Sequence, residues 1–394
     1  MHSKPNVCFI IYANPDNYPP IINAVKILSE HLNIILICRN QNDPRITYPE
    51  NVRVLRLGRL ESAKDKQNKF WFFKLSEFFA FTFRAVLYAW RYRCRLIYAN
   101  DAYGFMAGLL ASRIGPRRNI IYHNHDFIIY SRYIGLRNII RYFGLRLARF
   151  NDAVVFPSSF RMRYFRRYAR LKKSIFVVMN TPLLVKEPPV SKWQALLKAR
   201  GFNPVNKVIL YQGQFIGKGV CLAEVLQSVP LWREDVLLAI IGDIDQDYRQ
   251  TLESEIEELG LESRVIFLPC VAYPEILNYA SGAHLGLALR KHEDINARFL
   301  AGASNKIFEY MALGIPALVN DSLDFRLLFK DTPCVYFSRQ ESVRDIAGIV
   351  NASLTEQAEY AAKKQACLKA HREKFNYESQ FAALQEFILR KALG

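Results

Sequence analysis

Two series of short apolar runs alternate with helical spacings along the chain, and one proline-rich break divides them. In the first series "VCFIIYA", "NIILICR" and "VRVLRLG" read as strands, and "PIINAVKILSEHL" between them has helical spacing. "LIYAND", "NIIYHNHD" and "DAVVFPSS" follow, each an apolar run ending in a polar cluster. After the break at "NTPLLVKEPPVSKWQ" come strands "KVILYQG", "VLLAIIGD", "RVIFLP", "AHLGLAL" and "IPALVN", again interleaved with helical patterns. Alternation of this kind predicts parallel sheets wrapped by helices, so the fold class is α/β with two Rossmann-like, doubly wound domains facing a cleft. The expected boundaries are residues 1–182 for the first domain, 183–200 for the linker and 201–355 for the second domain. Residues 356–394 are read as C-terminal helices, the last packing back toward the first domain. Ligands of such sheets sit beyond the C-terminal ends of strands, so chemistry is expected in the loops that follow them.

Composition narrows the class. With 394 residues, 51% hydrophobic and 23% charged, the chain is globular and long enough for two cores. Its seven cysteines are odd in number and contain no C-x-x-C pair, which points to free thiols in a reducing compartment. The apolar run in "MHSKPNVCFIIYANP" is too short for a signal peptide. The longest apolar stretch, residues 70–90, is broken by Lys74, Glu77 and Arg84 and is a poor membrane span. Glu77, Arg84 and Arg91 recur every seven residues on one helical face. This amphipathic helix either buries one face or lies on a lipid surface.

The net charge of +18 is lopsided. Residues 1–182 hold 30 Lys+Arg against 10 Asp+Glu, and residues 183–394 hold 24 against 26. A basic half of this kind meets phospholipid, nucleic acid or a phosphorylated substrate, or else its Arg-rich helices simply solvate one face.

The richest motif is "ASNKIFEYMALGIPALV". Ser304 or Asn305 is a helix N-cap, and Gly314 stops the helix before Pro316. The first turn offers backbone N–H groups and a partial positive charge to a phosphate, and Lys306 adds a full charge. Glu309 lies four residues after Asn305, about 6 Å along the axis, which is roughly the span from a sugar-nucleotide diphosphate to its ribose. A carboxylate there accepts from two ribose hydroxyls at once; the bland alternative is that Glu309 faces water. A second phosphate candidate is "YQGQFIGKG", where Gly213, Gly217 and Gly219 allow close backbone approach and Lys218 adds charge. It lacks the spacing of a Walker A loop, and a surface turn fits it as well.

With these pieces in view, the second half resembles GT-B glycosyltransferases of the family 4 type, the glycosyl transferases group 1. The likeness is carried by "LYQGQFIGKGV", "LAIIGD", "RVIFLPCVAYPEILNYASGAHLGLAL" and "SNKIFEYMALGIPALV" in that order, and more loosely by "LIYAND", "IIYHNHDF" and "NDAVVFPSS". The resemblance implies that Glu309 is the second Glu of the E-x7-E motif and holds the nucleotide ribose. The first Glu falls at Ala301, so that half of the motif is absent. By the same likeness Gly213, Lys218, Ser304, Asn305 and Lys306 bind the donor diphosphate, with Gln214 where many relatives carry Arg. Asn296 lies near the donor sugar. His125 lies near the reacting carbon and is the catalytic candidate, and Asp101 and Asp126 are acceptor-side. "ANPDNYPP" replaces the family's Gly-Gly after the first strand.

Other clusters carry rival readings. "YHNHD" is a poor metal site, because His123 and His125 point to opposite faces if extended; a structural His–Asp pair at a strand end is its alternative. "DID", residues 243–245, reads as a plain loop rather than a metal–nucleotide D-x-D. Residues 127–173 hold twelve Lys+Arg and one acid with interleaved aromatics, a pattern suited to nucleic acid, to a membrane face, or to a solvated helix pair.

The resemblance implies a glycosyltransferase that moves a hexosyl or related group from a nucleotide-diphosphate sugar to a hydroxyl acceptor. That acceptor is expected to be a lipid-linked or membrane-surface saccharide in polysaccharide or glycolipid assembly. Retention of configuration, no metal, no cofactor and no nucleic-acid partner are expected. The expected location is the cytoplasm, peripheral on the inner membrane face, with the basic half meeting anionic lipid. The alternatives are a GT-B sugar-nucleotide epimerase or hydrolase, and a non-catalytic basic membrane- or RNA-binding protein.

Overall fold

The computed structural model describes residues 4–39, 46–58, 70–126, 144, 146–169, 171, 174–273, 275–292, 295–339 and 342–394. The chain divides into two compact units, Met1–Met179 with Gln380–Gly394, and Asn180–Ser379.

The first unit is built on a seven-stranded sheet of order β3-β2-β1-β4-β5-β6-β7. Its strands are β1 (Asn6–Ile11), β2 (Asn33–Arg39), β3 (Val52–Leu57), β4 (Leu96–Asn100), β5 (Asn119–His123), β6 (Ala153–Phe156) and β7 (Ser174–Val177). Every adjacent pair is parallel. Helices on both faces bury the central strands, which is why "LIYAN" and "AVVF" read as unbroken apolar runs rather than alternating ones. The order reverses between β1 and β4, so their C-terminal ends flank the switch point where doubly wound sheets bind ligands.

The Trp71–Arg91 helix buries Phe78, Phe81, Ala85 and Ala89, a 3-4-4 spacing that gives one inward stripe. Tyr12, just past β1, receives Phe78 and Phe81 edge-on with ring centroids 5.3 and 5.0 Å away. Arg84 and Arg91 are exposed, whereas Glu77 turns aside to pair with Arg39 at 3.1 Å. No helix among the described residues is long and apolar enough to cross a membrane.

The second unit carries a six-stranded parallel sheet of order β10-β9-β8-β11-β12-β13. Its strands are β8 (Lys207–Ile216), β9 (Val236–Ile244), β10 (Val265–Leu268), β11 (Leu285–Ala288), β12 (Ala317–Asn320) and β13 (Val335–Ser338). The switch point lies between β8 and β11, with Tyr211 registered against Leu287. Ile209, Leu238, Leu287 and Leu318 from four of these strands meet one core with Val225, Leu252 and Val350 from the helices.

The unit boundary differs from the expected one. Residues 183–200 belong to the second unit, and Trp193–Ala199 is helical. Trp193 and Leu197, four apart and both buried, give that short segment a core-facing side despite its proline-rich approach. The terminal Tyr377–Leu393 helix joins the first unit from Gln380 onward. There Phe387 lies 5.3 Å from Phe176, and Arg95 donates to the Ala392 and Leu393 carbonyls.

Candidate functional site

In the second unit the end of β8 and the start of the Asn305–Ala312 helix come together. Tyr310 holds them: its hydroxyl accepts from the Gln212 backbone N–H at 3.1 Å and donates to the Leu210 carbonyl at 3.1 Å. Its ring lies so close over β11 that a Cβ at Gly286 would meet it at 2.2 Å. One turn of helix earlier, Lys306 places Nζ 3.7 Å from the Tyr211 ring centroid, a cation–π contact, and 3.7 Å from where a Gly213 Cβ would stand. Glu309 is buried, and its Oε2 accepts from Gln212 Nε2 at 2.5 Å. Gln212 Oε1 and Asn305 Oδ1 are buried without a hydrogen-bond partner.

The helix start is open. Ser304 takes the extended N-cap conformation, yet no side chain caps the first turn. The turn before it is held firmly. Asn180 donates its backbone N–H to the Gly302 carbonyl and Nδ2 to the Ala303 carbonyl, both at 2.8 Å. The Ala301 N–H donates to Asp324 Oδ2 at 2.9 Å. Gly302 has φ +88°, which favours glycine. The loop after β8 is anchored too, since the Lys291 N–H donates to the Gly219 carbonyl at 3.0 Å. Gly242 lets the end of β8 pass close by: a Cβ there would stand 1.8 Å from the Gly213 carbonyl oxygen.

Burial sets the charges. It pushes the Glu309 carboxyl up to about 7, against the Gln212 hydrogen bond and the nearby Lys306. Burial also pushes Lys306 down to about 7, helped by the positive Arg290 and opposed by Glu309. Two groups that face opposite penalties therefore change charge near neutral pH.

In the first unit three strand ends converge at the other switch point. His125 is buried two residues past β5. Its backbone N–H donates to Asp101 Oδ1 at 3.1 Å, and its Nε2 lies 3.1 Å from Asn100 Oδ1. Asn100 Nδ2 donates to the Ile10 carbonyl, which leaves Oδ1 as the acceptor. His125 Nε2 thus carries the hydrogen and Nδ1 keeps its lone pair. Desolvation lowers His125 to about 4, with Asp126 opposing and Arg161 adding to the shift, so the ring is neutral at physiological pH. Buried Arg161 donates to the His125 carbonyl at 2.5 Å and to exposed Asp126 at 3.1 Å. Asp101 opens its helix at φ +53°, a strained conformation for a non-glycine residue.

His123 and His125 do not point to opposite faces. The chain leaves β5 after His123, and the two rings stack with centroids 3.9 Å apart. The opposite-face expectation fails because residues two apart share a face of an extended chain, so strand alternation itself sets both rings on one side. Among the described residues no three His, Cys, Asp or Glu side chains group as metal ligands. Asp243 lies within β9, and Asp245 caps the next helix by accepting from the Tyr248 N–H.

Gly213, Lys306 and Glu309 are thus brought together with Ser304 and Asn305. Gln214 is exposed near the end of β8, and Lys218 is exposed on the anchored loop that follows. Asn296 sits, partly buried, on the short Ile295–Arg298 helix. Gln212, Tyr310 and Arg290 were not singled out from the sequence. Gln212 ends the apolar part of β8 and Arg290 follows β11, so the rule that ligands lie beyond strand ends points to both. Of the basic segment 127–173, residues 127–143, 145, 170, 172 and 173 lie outside the described residues.

Residues 194–373 match the family model described as "Glycosyl transferases group 1". The fold of the whole chain is similar to that of the sucrose-phosphate synthase from Thermosynechococcus elongatus, with TM-score 0.75, 14% identity and coverage of 98% of this chain and 99% of that one. The chain has the GT-B fold. Anabaena HepE in complex with UDP-glucose shares this GT-B architecture at TM-score 0.71 and 18% identity, covering 98% of this chain and 99% of that one. A putative UDP-N-acetylglucosamine 2-epimerase from Listeria monocytogenes is similar to the GT-B chain at TM-score 0.61 and 13% identity, covering 99% and 97%. None of the curated proteins matches it.

Proposed function

We propose that the chain transfers a sugar from a nucleotide-diphosphate sugar to a hydroxyl acceptor. One observation carries this reading: a buried carboxylate, Glu309, stands one turn inside a helix whose uncapped start bears Lys306, at the switch point of a parallel sheet. The N–H groups of Asn305 and Lys306 at the helix start, with the Ser304 hydroxyl and the Lys306 ammonium, hold the diphosphate. Lys218 and Arg290 add positive charge as the leaving group's charge grows. Glu309 accepts from the ribose hydroxyls. The unpartnered Gln212 Oε1 and Asn305 Oδ1 stand ready as acceptors for donor N–H or O–H groups. These amides and cations neutralise the diphosphate by themselves, so the reading includes no metal.

On the acceptor side, neutral His125 offers Nδ1 as a hydrogen-bond acceptor near the reacting carbon, with Asp101 and Asp126 beside it. Asn100, Asp101 and Arg161 fix its orientation. We propose retention of configuration, a lipid-linked or membrane-surface saccharide as acceptor, and action at the cytoplasmic face of a membrane in polysaccharide or glycolipid assembly. The basic first half supports the membrane part.

The test is a thermal-shift panel of nucleotide sugars, followed by product analysis of the stabilising donor with and without a membrane lipid extract. A donor stabilises the folded state by mass action. Transfer that depends on the extract supports the reading. Epimerised or hydrolysed sugar without any acceptor contradicts it, and so does a panel with no stabilising nucleotide.

A further inference from the structure

The outward face of the Trp71–Arg91 helix carries large apolar side chains beside its cations. Phe73 is 58% exposed, Phe79 61%, Phe83 69%, Leu87 43% and Trp90 60%. Apart from the first step these follow one another at three- and four-residue spacing, which makes a continuous stripe along a helix of about 30 Å. The stripe continues onto the next helix. A Cβ at Gly115 would lie 3.6 Å from Trp90 Cδ1, and the neighbouring Ile114 and Leu110 are exposed as well. Scattered exposed apolar residues are ordinary, but a contiguous aromatic stripe marks a contact surface.

The charge around it selects the partner. Residues 70–118 contain eight Lys+Arg and only two acids, Glu77 and Asp101. Both acids face elsewhere: Glu77 pairs with Arg39, and Asp101 accepts from the His125 N–H. Lys74, Arg84, Arg91, Arg93, Arg113 and Arg117 are exposed around the stripe. A second copy of this chain would bring the same cations against themselves. An anionic bilayer complements them, with rings in the interfacial layer and guanidinium groups on the headgroups.

We propose that the stripe Phe73, Phe79, Phe83, Leu87 and Trp90, rimmed by Arg84 and Arg91, is the surface by which the chain docks on an anionic lipid bilayer. The helix lies in the plane of the interface, and no helix among the described residues is long and apolar enough to cross it. The inference deepens the membrane part of the proposed function and is independent of the donor site. Each basic residue near an anionic surface raises partitioning about fivefold.

The experiment is flotation of the full chain with phosphatidylglycerol-containing and with pure phosphatidylcholine vesicles. UDP-induced thermal stabilisation is measured in parallel as a folding readout remote from the stripe. The expected result is binding to the anionic vesicles that a Phe79→Ser/Phe83→Ser variant loses about tenfold or more, with UDP stabilisation unchanged. In a second measurement, brominated lipids quench the tryptophan fluorescence of the native chain, and the quenching drops in Trp90→Phe. The proposal is overturned if the chain ignores anionic vesicles at low salt, or if both variants bind and quench like the native chain. It is equally overturned if the native chain is a dimer that the serine substitutions dissociate without lipid.

Discussion

Gln212 Nε2 donates to Glu309 Oε2 at 2.5 Å, joining residues 97 apart in sequence. The bond closes one side of the carboxylate and leaves Gln212 Oε1 buried without a partner. This arrangement is costly, because a carboxylate and an amide oxygen are both desolvated beyond what their bonds return.

Glu309→Gln lowers that cost. A carboxyl held above its ordinary value keeps its proton longer in the folded chain, so stability falls as pH rises from the ordinary carboxylate range through about 7. The new amide removes this cost and offers Nε2 to Gln212 Oε1. Chemical denaturation at about pH 8 is expected to show the variant more stable by about 1–3 kcal/mol, with the difference shrinking as pH falls through about 7 toward the ordinary carboxylate value.

Lys306→Met is expected to alter proton linkage. Lys306 is held down to about 7 by burial and is pulled back up by a diphosphate, so binding takes up protons above that pH. Ribose hydroxyls favour the ionised Glu309 and act oppositely. Calorimetry of UDP in buffers of different ionisation enthalpy is expected to show proton uptake displaced toward release in Lys306→Met, with affinity lowered about 10-fold or more.

Gly286→Ala is expected to damage the site without touching a ligand. Its Cβ would stand 2.2 Å from the Tyr310 ring, and the ring's shift breaks the hydroxyl bridge to Gln212 and Leu210. A loss of about 2–4 kcal/mol in denaturation is expected.

His125→Ala separates transfer from donor binding. In this variant kcat is expected to fall roughly 100-fold while UDP affinity stays within about twofold. An equal loss in both measurements would show that His125 shapes the fold rather than the reaction.

What the sequence made legible follows from how local each signal is. Strands such as "LIYAN" declare themselves because burial on both faces leaves an unbroken apolar run. Glu309 stood out because its four-residue offset from Asn305 is a helical repeat. Its burial did not, because the partner Gln212 arrives from another strand. The Arg290 charge beside Lys306 is hidden for the same reason. For His123 and His125 the opposite-face expectation misapplies strand alternation, which sets residues two apart on one face. The outward stripe near Phe83 was visible as an amphipathic stretch, but which face turns inward depends on Tyr12 and Tyr103 from elsewhere in the unit.

The most direct test of the donor site is calorimetric titration of UDP into the native chain and into Glu309→Ala. Measurable binding to the native chain is expected, with an affinity about 10–100-fold weaker in the variant through the loss of two hydrogen bonds to a charged group. Equal affinity in the two proteins, or no binding of any nucleoside diphosphate to the native chain, would contradict this donor site.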